Sequence, residues 1–188
     1  LERMAGHYGL FCVGATINYA ESIDTVPQDL MDVAPTFVTS VPRLYEKIYA
    51  RVLENALAGG AVKKRIFFWA KDVGERWADL RLAKQPVPGL LQFQYNLATK
   101  LVFSKLQART GGNMRFFISG GAPLPADVAK FFYSAGLPIY EGYGLTETSP
   151  VISVNHVHQI RLATVGPVID EVEVKIAEDG EILTRGRH

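Results

Sequence analysis

The sequence predicts an α/β protein: a parallel-sheet βαβ core, interrupted by a helical insertion and followed by a C-terminal β-hairpin. Three observations predict it. Residues 114–141 read strand, helix, strand, with apolar runs of the length that a parallel sheet buries. Residues 43–110 carry their apolar positions at helical spacing instead. Two β-rich runs, Glu171–Ala177 and Glu181–Arg185, flank Glu178-Asp179-Gly180 and read as a hairpin.

The bulk numbers narrow the function classes. A chain of 188 residues, 48% hydrophobic, can bury one substantial core. With 20 Lys+Arg against 19 Asp+Glu, the net charge of +1 argues against a general nucleic-acid binder. Cys12 is the single cysteine, so there is no disulfide framework and no cysteine-rich zinc site, as fits a reducing cytoplasm. No apolar run approaches the roughly 18–20 residues that span a bilayer. Leu1-Glu2-Arg3-Met4 resembles neither a signal peptide nor an initiation site, and Thr184-Arg185-Gly186-Arg187-His188 closes just after a strand. Both ends are expected to be interior to a longer protein.

Taken in order, residues 1–14 are helix-compatible and Thr16-Ile17-Asn18-Tyr19-Ala20 reads as a short strand. Thr25 suits the cap of a helix holding Leu30, Met31 and Val33, which Pro35 ends before the β-rich Thr36–Val41. Leu44, Ile48 and Val52 mark one helix and Val62, Ile66, Ala70, Val73, Trp77 and Leu80 a second, divided by Gly59-Gly60. Gln85-Pro86-Val87-Pro88-Gly89 breaks the chain before a third, over 90–108. Met114–Ser119 is a buried-type strand, and Gly120-Gly121-Ala122-Pro123-Leu124 turns the chain. A helix follows with Pro125 at its first position, Asp127 in its first turn and Val128, Phe131 and Phe132 inward; Gly136 and Pro138 end it before the strand Leu137–Glu141.

In a βαβ unit both strands point the same way, so the loops that follow them leave the same carboxyl edge. Open α/β sheets bind ligands at that edge. The two loops are Gly120-Gly121-Ala122 and Gly142-Tyr143-Gly144-Leu145-Thr146-Glu147-Thr148. Glycines let backbone approach a flat ring or a phosphate, Tyr143 offers a stacking face, and Thr146 and Thr148 supply hydroxyls. Glu147 is a hard oxygen ligand for Mg²⁺ bridged to phosphates. The residues alone also admit a plain structural reading, with glycines in tight turns, Tyr143 in the core and Glu147 solvated.

Tyr143-Gly144-Leu145-Thr146-Glu147-Thr148, with Ser119-Gly120-Gly121-Ala122-Pro123-Leu124 upstream, resembles the adenylate-forming superfamily of acyl-CoA synthetases, luciferases and peptide-synthetase adenylation domains. Within it, Ser40-Val41-Pro42-Arg43-Leu44-Tyr45-Glu46-Lys47-Ile48 and Leu1-Glu2-Arg3-Met4-Ala5-Gly6 look like segments of bacterial long-chain fatty acyl-CoA ligases, and Gly180–Gly186 like a strand before later motifs. The resemblance implies that the chain is part of the large N-terminal adenylation domain: 43–110 a helical insertion, 114–150 the nucleotide-binding segment, 163–188 the start of a β subdomain. It also implies roles. Gly120, Gly121 and Ala122 line one side of the adenine and Tyr143 stacks on the other. Glu141, Gly142 and Gly144 border the nucleotide, the glycines leaving room for the acyl-adenylate. Thr146 bonds the α-phosphate and, with Glu147 on Mg²⁺, forms the catalytic pair. The implied partners are a fatty acid, ATP and coenzyme A. An adenylating enzyme for aryl or amino acids is the rival within the superfamily, and a non-catalytic nucleotide-binding module the rival outside it.

Other features keep two readings each. His156 and His158 would share a strand face as a metal pair or as plain surface. Lys63-Lys64-Arg65, Arg76, Arg81 and Lys84, interleaved with Phe67, Phe68, Trp69 and Trp77, make either a peripheral membrane patch or a solvated face over an aromatic core. The aromatic residues of 66–77 line either an acyl tunnel or that core. His7 and His188 carry no signal, and strands cut from their neighbours would invite self-association into oligomers. The family's lysine-bearing phosphate loop, ribose-binding aspartate and C-terminal domain are missing from these residues. Adenylation needs several cations around the polyphosphate. The chain alone is therefore expected to show no substrate-dependent ATP–pyrophosphate exchange, and measurable turnover of the isolated polypeptide would refute this.

Overall fold

The computed structural model of the chain describes residues 7–186; Leu1–Gly6, Arg187 and His188 lie outside them. Three short strands, Phe37–Ser40 (β1), Phe116–Ser119 (β2) and Ile139–Gly144 (β3), pair in parallel, with Ser40 opposite Ser119 and Ser119 opposite Glu141. Val151–Val154 (β4) then adds to β3 in the antiparallel sense, giving the order β1-β2-β3-β4. The antiparallel β4 is an addition to the expected parallel core. A separate hairpin, Val172–Ile176 (β5) with Ile182–Gly186 (β6), pairs as the turn at Glu178-Asp179-Gly180 predicts.

Parallel neighbours need long crossovers, and both here are helical. Between β1 and β2 the chain runs through Pro42–Leu57 (which we number α3, after the short turn Gly9–Cys12, α1, and Val26–Val33, α2), Ala61–Leu82 (α4), Gly89–Ala98 (α5) and Ser104–Arg109 (α6). A π turn, Thr99–Phe103, joins α5 to α6 without a break. The helical block at 43–110 is thus itself the crossover of a long βαβ unit. Ala126–Ser134 (α7) is the crossover from β2 to β3.

The core lies between one sheet face and helices α3, α4 and α7. Phe117 of β2 meets Tyr45 and Phe132 edge-on, at centroid distances of 5.4 and 5.7 Å, and Phe131 packs against Tyr49 and Phe67. Tyr45 is buried, so its hydroxyl needs an acceptor; it donates to Ile118 O at 2.6 Å and locks α3 onto β2. On α4, Trp77 stacks on Tyr95 of α5 at 4.0 Å and 3°, donates from Nε1 to Gln92, and has the Arg81 guanidinium over its ring. The opposite sheet face is half-open and carries a ladder of rings, Phe37, Phe116 and Tyr140.

Two local expectations are corrected. Thr16–Ala20 forms no strand: β-propensity reflects fit to a half-buried pleated surface, and Tyr19 is largely exposed with no ladder beside it. Pro125 sits at the N-cap of α7, one position before its first turn, with Asp127 inside that turn. Thr25 does occupy the cap position of α2, but its hydroxyl bonds Asp29 and Ser22 rather than the helix's free N–H groups.

Candidate functional site

Because β2 and β3 are adjacent and parallel, the segments after Ser119 and Glu141 leave the same edge side by side. Gly120 continues the ladder briefly, its N–H donating to Ser40 O at 3.2 Å. Gly121 then takes φ +86°, a left-handed turn that suits glycine, and its missing side chain faces open space, with Val41 Cγ1 the nearest atom at 3.9 Å. Gly121 and Ala122 are exposed, and Leu124 is buried where α7 begins.

Glu141 ties this turn to β3. Its carboxylate is buried, accepts the Leu124 N–H at 3.2 Å and feels the pull of the Ala163 backbone N–H. Burial pushes the carboxyl up from its ordinary value against the opposing pull of those two donors, and no cation pairs with it among the described residues. The Glu141 backbone carbonyl is engaged as well, accepting the Asn155 N–H at 2.9 Å. Side chain and carbonyl therefore both work inside the protein, holding the walls of the site together.

Beyond Glu141 the roles diverge. Tyr143, two residues on, lies by strand alternation on the same sheet face as Glu141 and is half-buried opposite Ser153. Gly142 is roomy, since a Cβ there would find nothing closer than 3.6 Å. Gly144 is not: a Cβ would fall 1.7 Å from Pro150 O, where the β3–β4 register shifts. Its lack of a side chain is required by that backbone approach before any ligand is considered. Thr146 and Glu147 stand exposed on the one-turn 3₁₀ helix Thr146–Thr148, and neither side chain has a polar partner among the described residues. Thr148 differs from them. Its buried hydroxyl accepts the Leu145 N–H at 3.1 Å and lies 3.0 Å from both Leu145 O and Pro150 O, so it braces the loop and offers nothing outward.

Two buried polar residues here were not among the expected site residues. Asn155 accepts the Arg161 N–H at 2.9 Å and donates to Thr164 O, pinning residues 161–166 beside β4. Gly166 is pressed against that junction, a Cβ falling 2.2 Å from Asn155 N. Ser119 Oγ, at the base of the first turn, is buried without a hydrogen-bond partner among the described residues. A polar residue ending an apolar strand was the available signal for both. His156 and His158 face each other at 6.0 Å on a tight turn, and no group of three metal-ligating side chains occurs among the described residues.

Comparisons with known proteins bear on the family and the fold. A family model described as AMP-binding enzyme matches residues 1–188. The long-chain-fatty-acid–CoA ligase FadD15 of Mycobacterium bovis is 39% identical over 172 residues, 91% of this chain and 28% of that protein. The human long-chain-fatty-acid–CoA ligase ACSBG2 is 32% identical over 186 residues, 94% of this chain and 27% of that one. This chain thus spans little more than a quarter of the length of these relatives. Among solved structures, unliganded O-succinylbenzoate coenzyme A synthetase from Bacillus subtilis superposes with a TM-score of 0.54 at 18% identity, covering 97% of this chain and 32% of that one. Anthranilate CoA ligase AuaEII in complex with anthranoyl-AMP gives 0.52 at 16%, covering 92% of this chain and 26% of that one. These two likenesses establish the fold. Matched by the family model from end to end, the chain belongs to the AMP-binding enzyme family.

Proposed function

We propose that this chain supplies the adenine- and α-phosphate-binding part of a full-length long-chain fatty acid–CoA ligase, working in the cytoplasm. The observation that carries the reading is the seam between two adjacent parallel strands: the Gly120–Leu124 turn and the Gly142–Thr148 loop leave one edge and are stitched together by Glu141. The ligase relatives above support the choice of acid.

In the reaction, a fatty carboxylate oxygen attacks the α-phosphorus of ATP and pyrophosphate leaves, giving the acyl-adenylate. The thiolate of coenzyme A then attacks the acyl carbonyl, and AMP leaves with the electron pair of the broken C–O bond. The open flank of Gly121 and Ala122 gives a flat ring close backbone approach, and Tyr143 provides the facing ring. Thr146, with its hydroxyl exposed, donates to an α-phosphate oxygen as charge grows there. Glu147, exposed and free of any protein cation, fits the way Mg²⁺ is commonly held, by one or two carboxylates together with substrate phosphates. Bound there, Mg²⁺ would offset phosphate charge. Glu141 holds the two walls at a fixed spacing and touches no substrate.

Three outcomes test this. In the full-length enzyme, Glu147→Ala should lower the rate of ATP–pyrophosphate exchange on the order of a hundredfold; a rate near wild type would place the metal elsewhere. Gly142→Ala should cost less than about 1 kcal/mol of stability yet weaken ATP binding, whereas Gly144→Ala should cost roughly 3 kcal/mol or more. Denaturant midpoints beside calorimetry separate the two, and equal midpoints would contradict the backbone contact with Pro150.

The third outcome concerns pH. Folded Glu141 keeps its proton to higher pH than the unfolded chain does. Stability should therefore fall as pH rises from the ordinary carboxylate pKa through the raised folded value, and be level on either side. Glu141→Gln keeps an acceptor for Leu124 and should remove that slope in urea titrations. A slope unchanged by the substitution would assign it to another group.

A further inference from the structure

The chain after β4 turns back along the sheet, and its backbone pairing has a gap. His156 and Gln159 exchange hydrogen bonds of 3.2 and 3.0 Å, which close a tight turn. Pairing resumes where the Val154 N–H donates to Pro167 O at 3.1 Å and Val168 stands opposite Ser153. Between these points no backbone–backbone hydrogen bond among the described residues reaches residues 160–166. The gap contains Ala163 at φ +57°, a left-handed conformation that alanine rarely adopts. A segment without a ladder, holding such a residue, needs side chains to fix its course.

Asn155 is the side chain that does so. It is only 3% exposed, and a carboxamide carries both a donor and an acceptor, so it can stand in for the missing pairing at both ends of a turn. Its Oδ1 accepts the Arg161 N–H at 2.9 Å, and its Nδ2 donates to Thr164 O. Its own backbone N–H donates to Glu141 O at 2.9 Å. The Arg161–Thr164 turn is thereby clamped to the strand position that carries Glu141. Ala163 lies between the two clamped ends, and its N–H pulls on the Glu141 carboxylate, which also accepts the Leu124 N–H. Leu124 follows directly on Gly121 and Ala122, the open flank of the nucleotide edge. The turn bearing Thr146 and Glu147 has a separate support, because Thr148 braces it against Leu145 and Pro150 without Asn155.

We propose that Asn155 is a positioning residue for nucleotide binding: its carboxamide fixes the 161–166 turn as a third wall, and through Glu141 that wall holds the Gly120–Leu124 turn against β3. The relay ends at the adenine side and bypasses Thr146 and Glu147. Its loss should therefore weaken ATP binding and spare the chemical step, the pattern of an interaction made equally in ground and transition states.

The test uses the full-length enzyme and rests on the nucleotide-edge reading above. Asn155→Ala should raise both the KM for ATP in fatty-acid-dependent pyrophosphate exchange and the calorimetric Kd for ATP on the order of tenfold. The kcat per folded molecule and the KM for the fatty acid should stay near wild type. Asn155→Asp keeps the shape and the acceptor for Arg161 but sets an oxygen against Thr164 O, and it should raise KM and Kd in the same direction. Where Asn155→Ala does not fold, this isosteric variant carries the test, with urea midpoints supplying the folded fraction. A purely structural role would reduce the amount of active enzyme and leave KM and Kd for ATP unaltered, and that result would overturn the proposal. A wild-type enzyme that binds no ATP would refute the nucleotide-edge reading itself, whereas wild-type binding that the variants match would refute the role of Asn155 alone.

Discussion

A single buried carboxylate organises the functional edge of this protein. Glu141 ends the regular part of β3, where a parallel sheet has no further ladder to offer the loops; its carboxylate accepts the Leu124 N–H and feels the pull of the Ala163 N–H. Those donors belong to two segments that do not otherwise pair with β3. Burying a carboxylate without a cation is costly, and backbone N–H groups are what make it tolerable. The arrangement resembles a buried hydrogen bond more than an ion pair: replacing the acid by a hydrocarbon would leave the buried Leu124 N–H without its acceptor. The spacing of the Gly120–Leu124 turn and the Gly142–Thr148 loop therefore depends on this side chain as much as on strand pairing.

Around that anchor the similar-looking residues of the loop divide into those that build it and those that face outward. Thr148 and Gly144 belong to the first group, because the hydroxyl of one and the bare Cα of the other are both required by the Leu145–Pro150 backbone. Thr146, Glu147, Gly121 and Ala122 belong to the second, since nothing among the described residues uses their side chains or the space beside them. The exposed threonine and glutamate stand on a turn that Thr148 and the close backbone approach at Gly144 already brace.

Much of this was legible in the sequence, and the reason is periodicity. The helices over 42–109, the strand at Phe116–Ser119 and the hairpin around Gly180 all follow from apolar spacing and turn residues, which are local signals. The edge shared by the two loops followed from βαβ geometry alone. What failed to show were facts about partners far apart in sequence. Thr16–Ala20 has strand composition but no neighbour to pair with. Val151–Val154 is too short to declare its direction, and its antiparallel pairing is set by the tight turn through Pro150. The contact between Glu141 and Leu124 joins residues 17 apart, and the brace from Asn155 to Thr164 joins residues 9 apart. No pattern of hydrophobicity encodes either contact.

The helical block also gains meaning from its place in the topology. Because it is the crossover between β1 and β2, its first helix starts at the carboxyl edge, where Val41 approaches Gly121, and its last returns the chain to the start of β2. A crossover of one helix would have sufficed to connect two parallel strands. Four helices and a π turn instead carry the chain outward, so that Trp77 and Tyr95 seal the inner layer while Leu90, Phe93, Leu97 and Leu101 form an outer one. A stack of two flat rings at 4.0 Å makes a rigid seam between α4 and α5. α4 in turn packs on α7, the crossover that sets β3 beside β2. The same connection that closes the sheet thus also carries the ring stack that joins its outer helices to its inner ones.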